Sequence, residues 1–215
     1  MTPSEIEAYS RRLLNATSSN FWSSEEIIQN HLYNAAMEMA TECECIENRY
    51  TTVSVASQQE YSKPTRAAQV KRITYDGQKL QKIDFRQLDS IDYNPSSTTT
   101  GTPLYYAVFD ETIFLHPVPD TSAFTITIQT IDFPAQPTVN STLEIPAQYH
   151  LKLAIGVAYL MSLKELGHPN VTRFQAMWAQ ALEDVKEAER KKKRGDGFRI
   201  VLSEEQTVVT EFGTI

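Results

Sequence analysis

Gly101-Thr-Pro-Leu-Tyr-Tyr-Ala-Val-Phe-Asp-Glu-Thr-Ile-Phe-Leu-His-Pro-Val-Pro-Asp120 has the composition of a tight β-hairpin. Tyr105 to Phe109 and Thr112 to Leu115 are dense in aromatic and β-branched residues, and Asp110-Glu111 is a two-residue polar break between them. Pro117 and Pro119 are expected to end the second strand, since neither can donate a ladder hydrogen bond.

More strands are expected on both sides of the hairpin. Thr51-Thr-Val-Ser-Val-Ala56 and Val70-Lys-Arg-Ile-Thr-Tyr75 alternate apolar with polar residues, and Asp76-Gly77 is a strong turn signal leading into Gln78 to Ile83. Asp84 can cap one or two helical turns reaching Ile91, and Asn94 to Thr100 reads as an exposed loop of low complexity. Phe124-Thr-Ile-Thr-Ile-Gln-Thr-Ile131 is the cleanest alternating strand.

Helical patterns flank this β region. Thr2-Pro3-Ser4-Glu5 offers an N-cap, a proline at the first helical position and a Glu to close a capping box, and Ile6, Tyr9 and Leu13 give an apolar stripe. Asn15 to Asn20 breaks the pattern. Ser23-Ser24-Glu25-Glu26 repeats the capping signature, with Trp22 and Ile27 as a hydrophobic staple. Ile28, Leu32, Ala35, Met39, Cys43 and Ile46 then follow on one helical face. Beyond the strands, Pro146 opens a helix that is apolar almost all round from Leu151 to Leu166, so it should be buried on most sides. Gly167-His168-Pro169 stops it. Asn170 can cap a second helix with Phe174, Trp178, Ala181, Val185 and Ala188 on one face, an antiparallel hairpin partner for the first.

The fold expected is therefore α+β: an antiparallel helical bundle with an inserted small antiparallel β lobe and an extended C-terminal arm. The helical body takes residues 1–49 and 144–194, the β-rich lobe 50–143 and the arm 195–215.

The 215 residues, 41% of them hydrophobic and 22% charged, suffice for one sizeable core or one core with an appended lobe. No apolar run approaches the ~20 residues of a membrane-spanning helix. The N-terminus lacks the basic and apolar regions of a secretory signal, so use in a cytoplasm and no membrane partner are expected. Cys43 and Cys45 are expected on one helix with side chains pointing apart, as small semi-buried residues without a disulfide or a metal. A net charge of −7 argues against wrapping duplex DNA and suits a solvated surface, or one facing nucleic acid without sticking to it.

No pattern in the sequence announces catalysis. His31, His116, His150 and His168 are scattered one per element and form no metal spacing. Neither a nucleophile elbow nor a phosphate-binding glycine loop is present. The acid pairs Asp110-Glu111, Glu183-Asp184 and Glu204-Glu205 fall in turns or on helix surfaces. No enzyme activity, catalytic residue, metal or cofactor is expected.

Two features at the C-terminus point to partners. Arg190-Lys-Lys-Lys-Arg194 complements a helix dipole, and these five residues (Arg190, Lys191, Lys192, Lys193 and Arg194) also offer an electrostatic contact to an acidic surface or to the backbone of passing DNA. After Gly195-Asp-Gly197 come two apolar-bearing segments of β-type composition. Phe198, Ile200, Val201, Leu202, Val208, Val209 and Phe212 would be an aggregation liability if bare; adding a strand to a neighbour would satisfy them, as would a strand or short helix folded back on the same subunit.

The succession Thr74-Tyr-Asp-Gly-Gln-Lys-Leu80, Gly101-Thr-Pro-Leu-Tyr-Tyr-Ala107, Ile113-Phe-Leu-His-Pro-Val-Pro-Asp120 and Leu143-Glu-Ile-Pro-Ala-Gln-Tyr149, followed by two helices, resembles the head-to-tail adaptors of tailed bacteriophages, including the tail tubular protein A type. The resemblance runs over roughly residues 23–190. It implies a structural virion protein of the neck, assembled in the host cytoplasm as a homo-oligomeric, dodecameric ring between the portal protein and the tail nozzle or tail tube. It implies also that DNA passes non-specifically through the ring, and that the C-terminal extension, here the arm, reaches the portal. Two other readings of the residues are a monomeric binding module that presents the Asn94–Thr100 loop to a ligand or host surface, and a hydrolase, which would need a cleft with paired carboxylates.

Overall fold

The computed structural model describes residues 1–16, 22–91, 99–164 and 168–194, except the side chain of Arg194. Helices and antiparallel sheets are both present, so the class is α+β. The chain divides into two compact units. One comprises Met1–Ala35, Thr138–Ser141 and the residues from Ala147 onward, and the other Ala36–Pro137 and Thr142–Pro146.

The first unit is helical. Helix α1 (Pro3–Leu13) starts at a complete capping box: the Glu5 amide donates to Thr2 Oγ1 at 3.3 Å and the Thr2 amide to Glu5 Oε2 at 2.8 Å. Its buried face is rotated from the expected one. Pro3, Ile6, Glu7 and Ser10 are buried, whereas Tyr9 is exposed. The polar residues tolerate burial because they are partnered. Ser10 Oγ lies 3.0 Å from the Ala154 carbonyl, and Glu7 accepts from Arg11 Nε at 2.9 Å and Ser24 Oγ at 2.6 Å.

The next helix begins as α2 (Ser24–Glu26), where Ser23 Oγ accepts from the Glu26 amide. Trp22 and Ile27, the expected staple, are both buried. The box is only half closed, because the Glu26 carboxylate turns to Lys164. A π-helical turn, Ile27–Leu32, leads into α3 (Tyr33–Cys43), which carries the chain into the second unit.

The central helix of the first unit is α5 (His150–Lys164), entered through a 3₁₀ turn at Ala147–Tyr149. It packs on α1, on the π-helical turn and on α6 (Val171–Arg194). Three contacts order the last pair: Tyr149 with Glu189, Lys152 with Asp184, and Gly156 with Trp178. As one number rises the other falls, so α5 and α6 are antiparallel. Leu153, Ala154, Val157, Ala158 and Met161 are fully buried, but Leu151 and Leu163 are exposed, so burial of α5 is less complete than its composition suggests.

The second unit holds two four-stranded sheets. The strands are β1 (Glu47–Val53), β2 (Glu60–Ser62), β3 (Ala67–Tyr75), β4 (Gln78–Lys79), β5 (Gln81–Lys82), then, after helix α4 (Phe85–Ile91), β6 (Thr100–Gly101), β7 (Tyr105–Phe109), β8 (Thr112–His116), β9 (Val118–Pro119) and β10 (Thr125–Asp132). One sheet has the order β1-β10-β3-β4 and is antiparallel; the other is β2-β8-β7-β5, with β5 parallel to β7. Val70, Ile73, Tyr75, Ile126 and Ile128 of the first sheet share one apolar core with Tyr61, Tyr106, Ile113 and Leu115 of the second. Each valine, isoleucine or leucine among them contributes about 1.5–3 kcal/mol on burial.

The β7–β8 hairpin is as expected: Phe109 pairs with Thr112 across Asp110-Glu111, and Asp110 takes a left-handed φ of 52°. Pro117 ends β8. Pro119 does not; it lies in β9, which pairs in parallel with β6 through positions where the missing donor is not needed. Strand β1 begins at Glu47 and ends at Val53, so Ser54 to Ala56 fall outside it. The helix expected to reach Ile46 stops at Cys43, because Glu44 at φ 51° turns the chain. Cys45 is therefore not helical; both cysteines are buried thiols outside any disulfide.

Candidate functional site

Helix α6 presents the basic run. Its buried stripe of Phe174, Trp178, Ala181 and Val185 ends one residue beyond the expected Ala188, at Glu189, which is 1% exposed. The Glu189 carboxylate accepts from Tyr149 Oη at 2.8 Å and lies 3.3 Å from Lys192 Nζ. A buried carboxylate needs such partners, so Glu189 fixes the last turns of α6 against the start of α5.

Around that anchor Arg190, Lys191, Lys192 and Lys193 are exposed. Lys191 Nζ is 2.7 Å from Glu187 Oε1, and this hydrogen bond holds the Glu187 carboxyl below its usual range. Lys152 and Gln180 do the same to Asp184. A depression of about 290 Å³ is lined by both signs of charge, with Glu183, Asp184 and Glu187 beside Lys186, Arg190 and Lys191. Acids on the same helix thus neutralise part of the run, which suits a contact with a mixed-charge protein surface better than the grip of a phosphate backbone.

The second unit carries a larger concavity. A cleft of about 610 Å³ opens between β1 and the stretch from Gln58 to Arg66, lined by Tyr50, Thr51, Thr52, Tyr61, Lys63 and Ile128 among others. A polar network stiffens its β1 side. Asp132, fully buried, accepts from Tyr50 Oη, from Asn48 Nδ2 at 2.9 Å and from Thr130 Oγ1 at 2.5 Å. The Asp132 carboxylate raises the Tyr50 phenol above its ordinary value through this hydrogen bond. On the opposite side the Arg66 guanidinium grips the Glu144 carboxylate and donates to the Phe133 carbonyl at 2.7 Å, while Lys63 Nζ meets Glu111 Oε1 at 2.9 Å. The cations near the cleft are thus engaged in ion pairs, which does not make it an anion site.

The profile of the SU10 adaptor protein family matches residues 1–200. The chain belongs to that family. It is a family of phage head-to-tail adaptors, so this is a structural adaptor of the virion neck. Nothing among the curated proteins matches the chain.

The sequence-derived candidates distribute unevenly in this SU10-type adaptor. Arg190, Lys191, Lys192 and Lys193 lie together on one helix end, and the backbone of Arg194 closes α6. Phe198, Ile200, Val201, Leu202, Val208, Val209 and Phe212 lie outside the described residues, as does most of the Asn94–Thr100 loop. The histidines stay apart: His31 is 4.0 Å from Glu26, His150 Nδ1 is 2.9 Å from the Met1 amino group, His168 accepts from the Asn170 amide, and His116 is buried at the end of β8. Among the described residues no three or more His, Cys, Asp or Glu side chains are grouped to hold a metal ion, and no helix is long and apolar enough to cross a membrane.

Sequence reasoning missed Glu189 and the cleft. A signal for Glu189 existed: it continues the Trp178, Ala181 and Val185 stripe at helical spacing, a polar residue where an apolar one is due. The cleft had none, because it depends on which strands end their sheets.

Proposed function

We propose that this adaptor assembles as a homo-oligomeric, dodecameric ring that joins the portal protein to the tail nozzle or tail tube and surrounds the channel through which DNA passes during genome ejection. The family match over residues 1–200 carries the reading. The helical body, residues 1–49 and 144–194, is an antiparallel bundle, and the β-rich lobe, residues 50–143, is inserted in it. The arm, residues 195–215, brings Phe198, Ile200, Val201, Leu202, Val208, Val209 and Phe212 to the portal, with Arg190 to Arg194 as an electrostatic contact at its root.

Charge and chemistry support this. A net charge of −7 keeps DNA from adhering to a channel wall. A head-to-tail ring uses two different faces of each subunit, so no self-complementary patch is required. The protein has a structural role and is not an enzyme; assembly takes place in the host cytoplasm.

Co-sedimentation with the portal ring encoded near it tests the reading, with the full chain and a truncation ending at Arg194. The full chain is expected to join the portal in a ring-sized complex and the truncation to bind poorly. If neither binds, the adaptor ring falls and a monomeric module that uses its β-lobe loops takes its place.

A further inference from the structure

We infer that the cleft between β1 and β2 receives an added strand, and that this strand is the first apolar segment of the arm, Phe198–Leu202, given by a neighbouring copy; the inference rests on the ring reading. On this inference Phe198, Ile200, Val201 and Leu202 seat on the neighbouring subunit, which holds the start of each arm, and Val208, Val209 and Phe212 are the part of the arm left to reach the portal.

The acceptor is defined by topology. β1 is one terminal strand of its sheet and β2 one terminal strand of the other, and the cleft lies between them. Asn48, Tyr50 and Thr52 of β1 stand opposite Thr130, Ile128 and Ile126 of β10, on the face toward the apolar core. Tyr61 of β2 faces the same core. A strand laid along β1 would extend its sheet over the cleft and turn alternate side chains onto Tyr50, Tyr61 and Ile128. The β1 edge is suited to pairing: seven residues long, in unbroken register with β10, and without proline. Folded proteins protect such an edge by covering or pairing it.

The donor fits in pattern and length. Phe198, Ile200 and Leu202 fall on one face of an extended strand and Arg199 and Val201 on the other, so the first segment offers three large apolar side chains to the cleft. The second segment offers a weaker face, with Thr210 between Val208 and Phe212. Five residues span about 17 Å, which the seven residues of β1 can pair in full. Residues 203–212 still reach as far as ~33 Å beyond the cleft, enough to carry Val208, Val209 and Phe212 to a partner. Main-chain hydrogen bonds supply affinity in strand addition, and pockets for alternate side chains supply register. Donor and acceptor are different surfaces of one chain. That is what a ring closed by head-to-tail contacts requires.

Cysteine cross-linking in the full chain tests this. Thr52→Cys and Ile200→Cys variants, separately and mixed, are assembled with the portal ring and treated with a short bis-maleimide; each single variant alone controls for Cys43 and Cys45, which are buried. The expected result is covalent dimers in the mixture and not in either single variant. The double variant should give a ladder of covalent oligomers. In a second arm, Ile200→Asp should weaken association between copies about tenfold or more, because it buries a charge in the cleft. A double variant that links within one chain overturns the inference, since the arm then covers its own cleft. A portal-bound ring without cross-links overturns it too, while leaving the ring reading intact. Failure to form any ring with the portal removes both.

Discussion

A β-carbon on Gly156 of α5 would stand 2.7 Å from Cζ3 of Trp178 on α6. The indole, 3% exposed, lies flat against the glycine backbone, so the two helices approach as closely as they do because position 156 has no side chain. Gly156→Ala gains up to about 1 kcal/mol of helix propensity, but forcing a methyl into this contact costs about 1–3 kcal/mol. The variant should melt at a lower temperature than the wild type. Gly156→Ala combined with Trp178→Phe should recover part of the loss beyond additivity, which a double-mutant cycle measures. An unchanged melting temperature in the single variant would mean that the indole can shift.

Tyr149 and Glu189 make the second tie between these helices. Tyr149→Phe keeps the ring and removes the hydroxyl that donates to a carboxylate buried to 1% exposure. The loss should be about 1–3 kcal/mol in urea unfolding. The double variant Tyr149→Phe with Glu189→Gln should lose less than the sum, since a neutral amide is cheaper to leave under-satisfied than a carboxylate.

These two ties show where the sequence was legible. Periodicity found α5, α6 and the stripe through Trp178, because burial of a helix face is written into every third or fourth residue. It did not find Glu189, whose burial depends on a hydroxyl 40 residues away. The β-hairpin at Tyr105–His116 was legible because its turn and both strands are local. β3 was less so: Val70 and Ile73 both face the core although three apart, because Lys71 is bulged out of register with β10. Leu80 marks another limit. It is a core residue between β4 and β5, where the chain passes from one sheet to the other, so Gln78 to Ile83 is not the single hairpin arm that Asp76-Gly77 suggested. Glu44 ended α3 early through a left-handed conformation that a Glu seldom takes. For the candidate site, the basic run was legible as composition, and its partial neutralisation by Glu187 and Glu189 was legible only in side-chain geometry.

The turn at Asp76-Gly77 gives a backbone prediction. Gly77 has φ 80°, and a β-carbon there would meet nothing within 4 Å, so the cost of Gly77→Ala is conformational strain alone. It should destabilise by about 1–2 kcal/mol, with no change in the core. Gly77→Asn should cost less, as asparagine tolerates the left-handed region better. Equal losses for the two variants, measured by thermal melting, would point to a side-chain clash in place of strain.

Glu144 gives the pH prediction. Hydrogen bonding by the Arg66 guanidinium, aided by the Ala135 amide, holds its carboxyl below the ordinary value of 4.5. A carboxylate depressed in the folded state contributes stability that is fully present above its unfolded pKa and is lost as pH falls through the folded one. The stability difference between wild type and Glu144→Gln should therefore be constant well above pH 4.5 and shrink below it. The Arg66 and Glu144 side chains are 38% and 34% exposed, so solvent screens the pair and its contribution should stay under roughly 1 kcal/mol. Added salt should narrow the difference at neutral pH, since screening weakens a partly exposed pair. Urea unfolding of both proteins across that pH range measures it. A difference that grows on acidification would show that Glu144 is held protonated in the fold, contrary to its place beside Arg66.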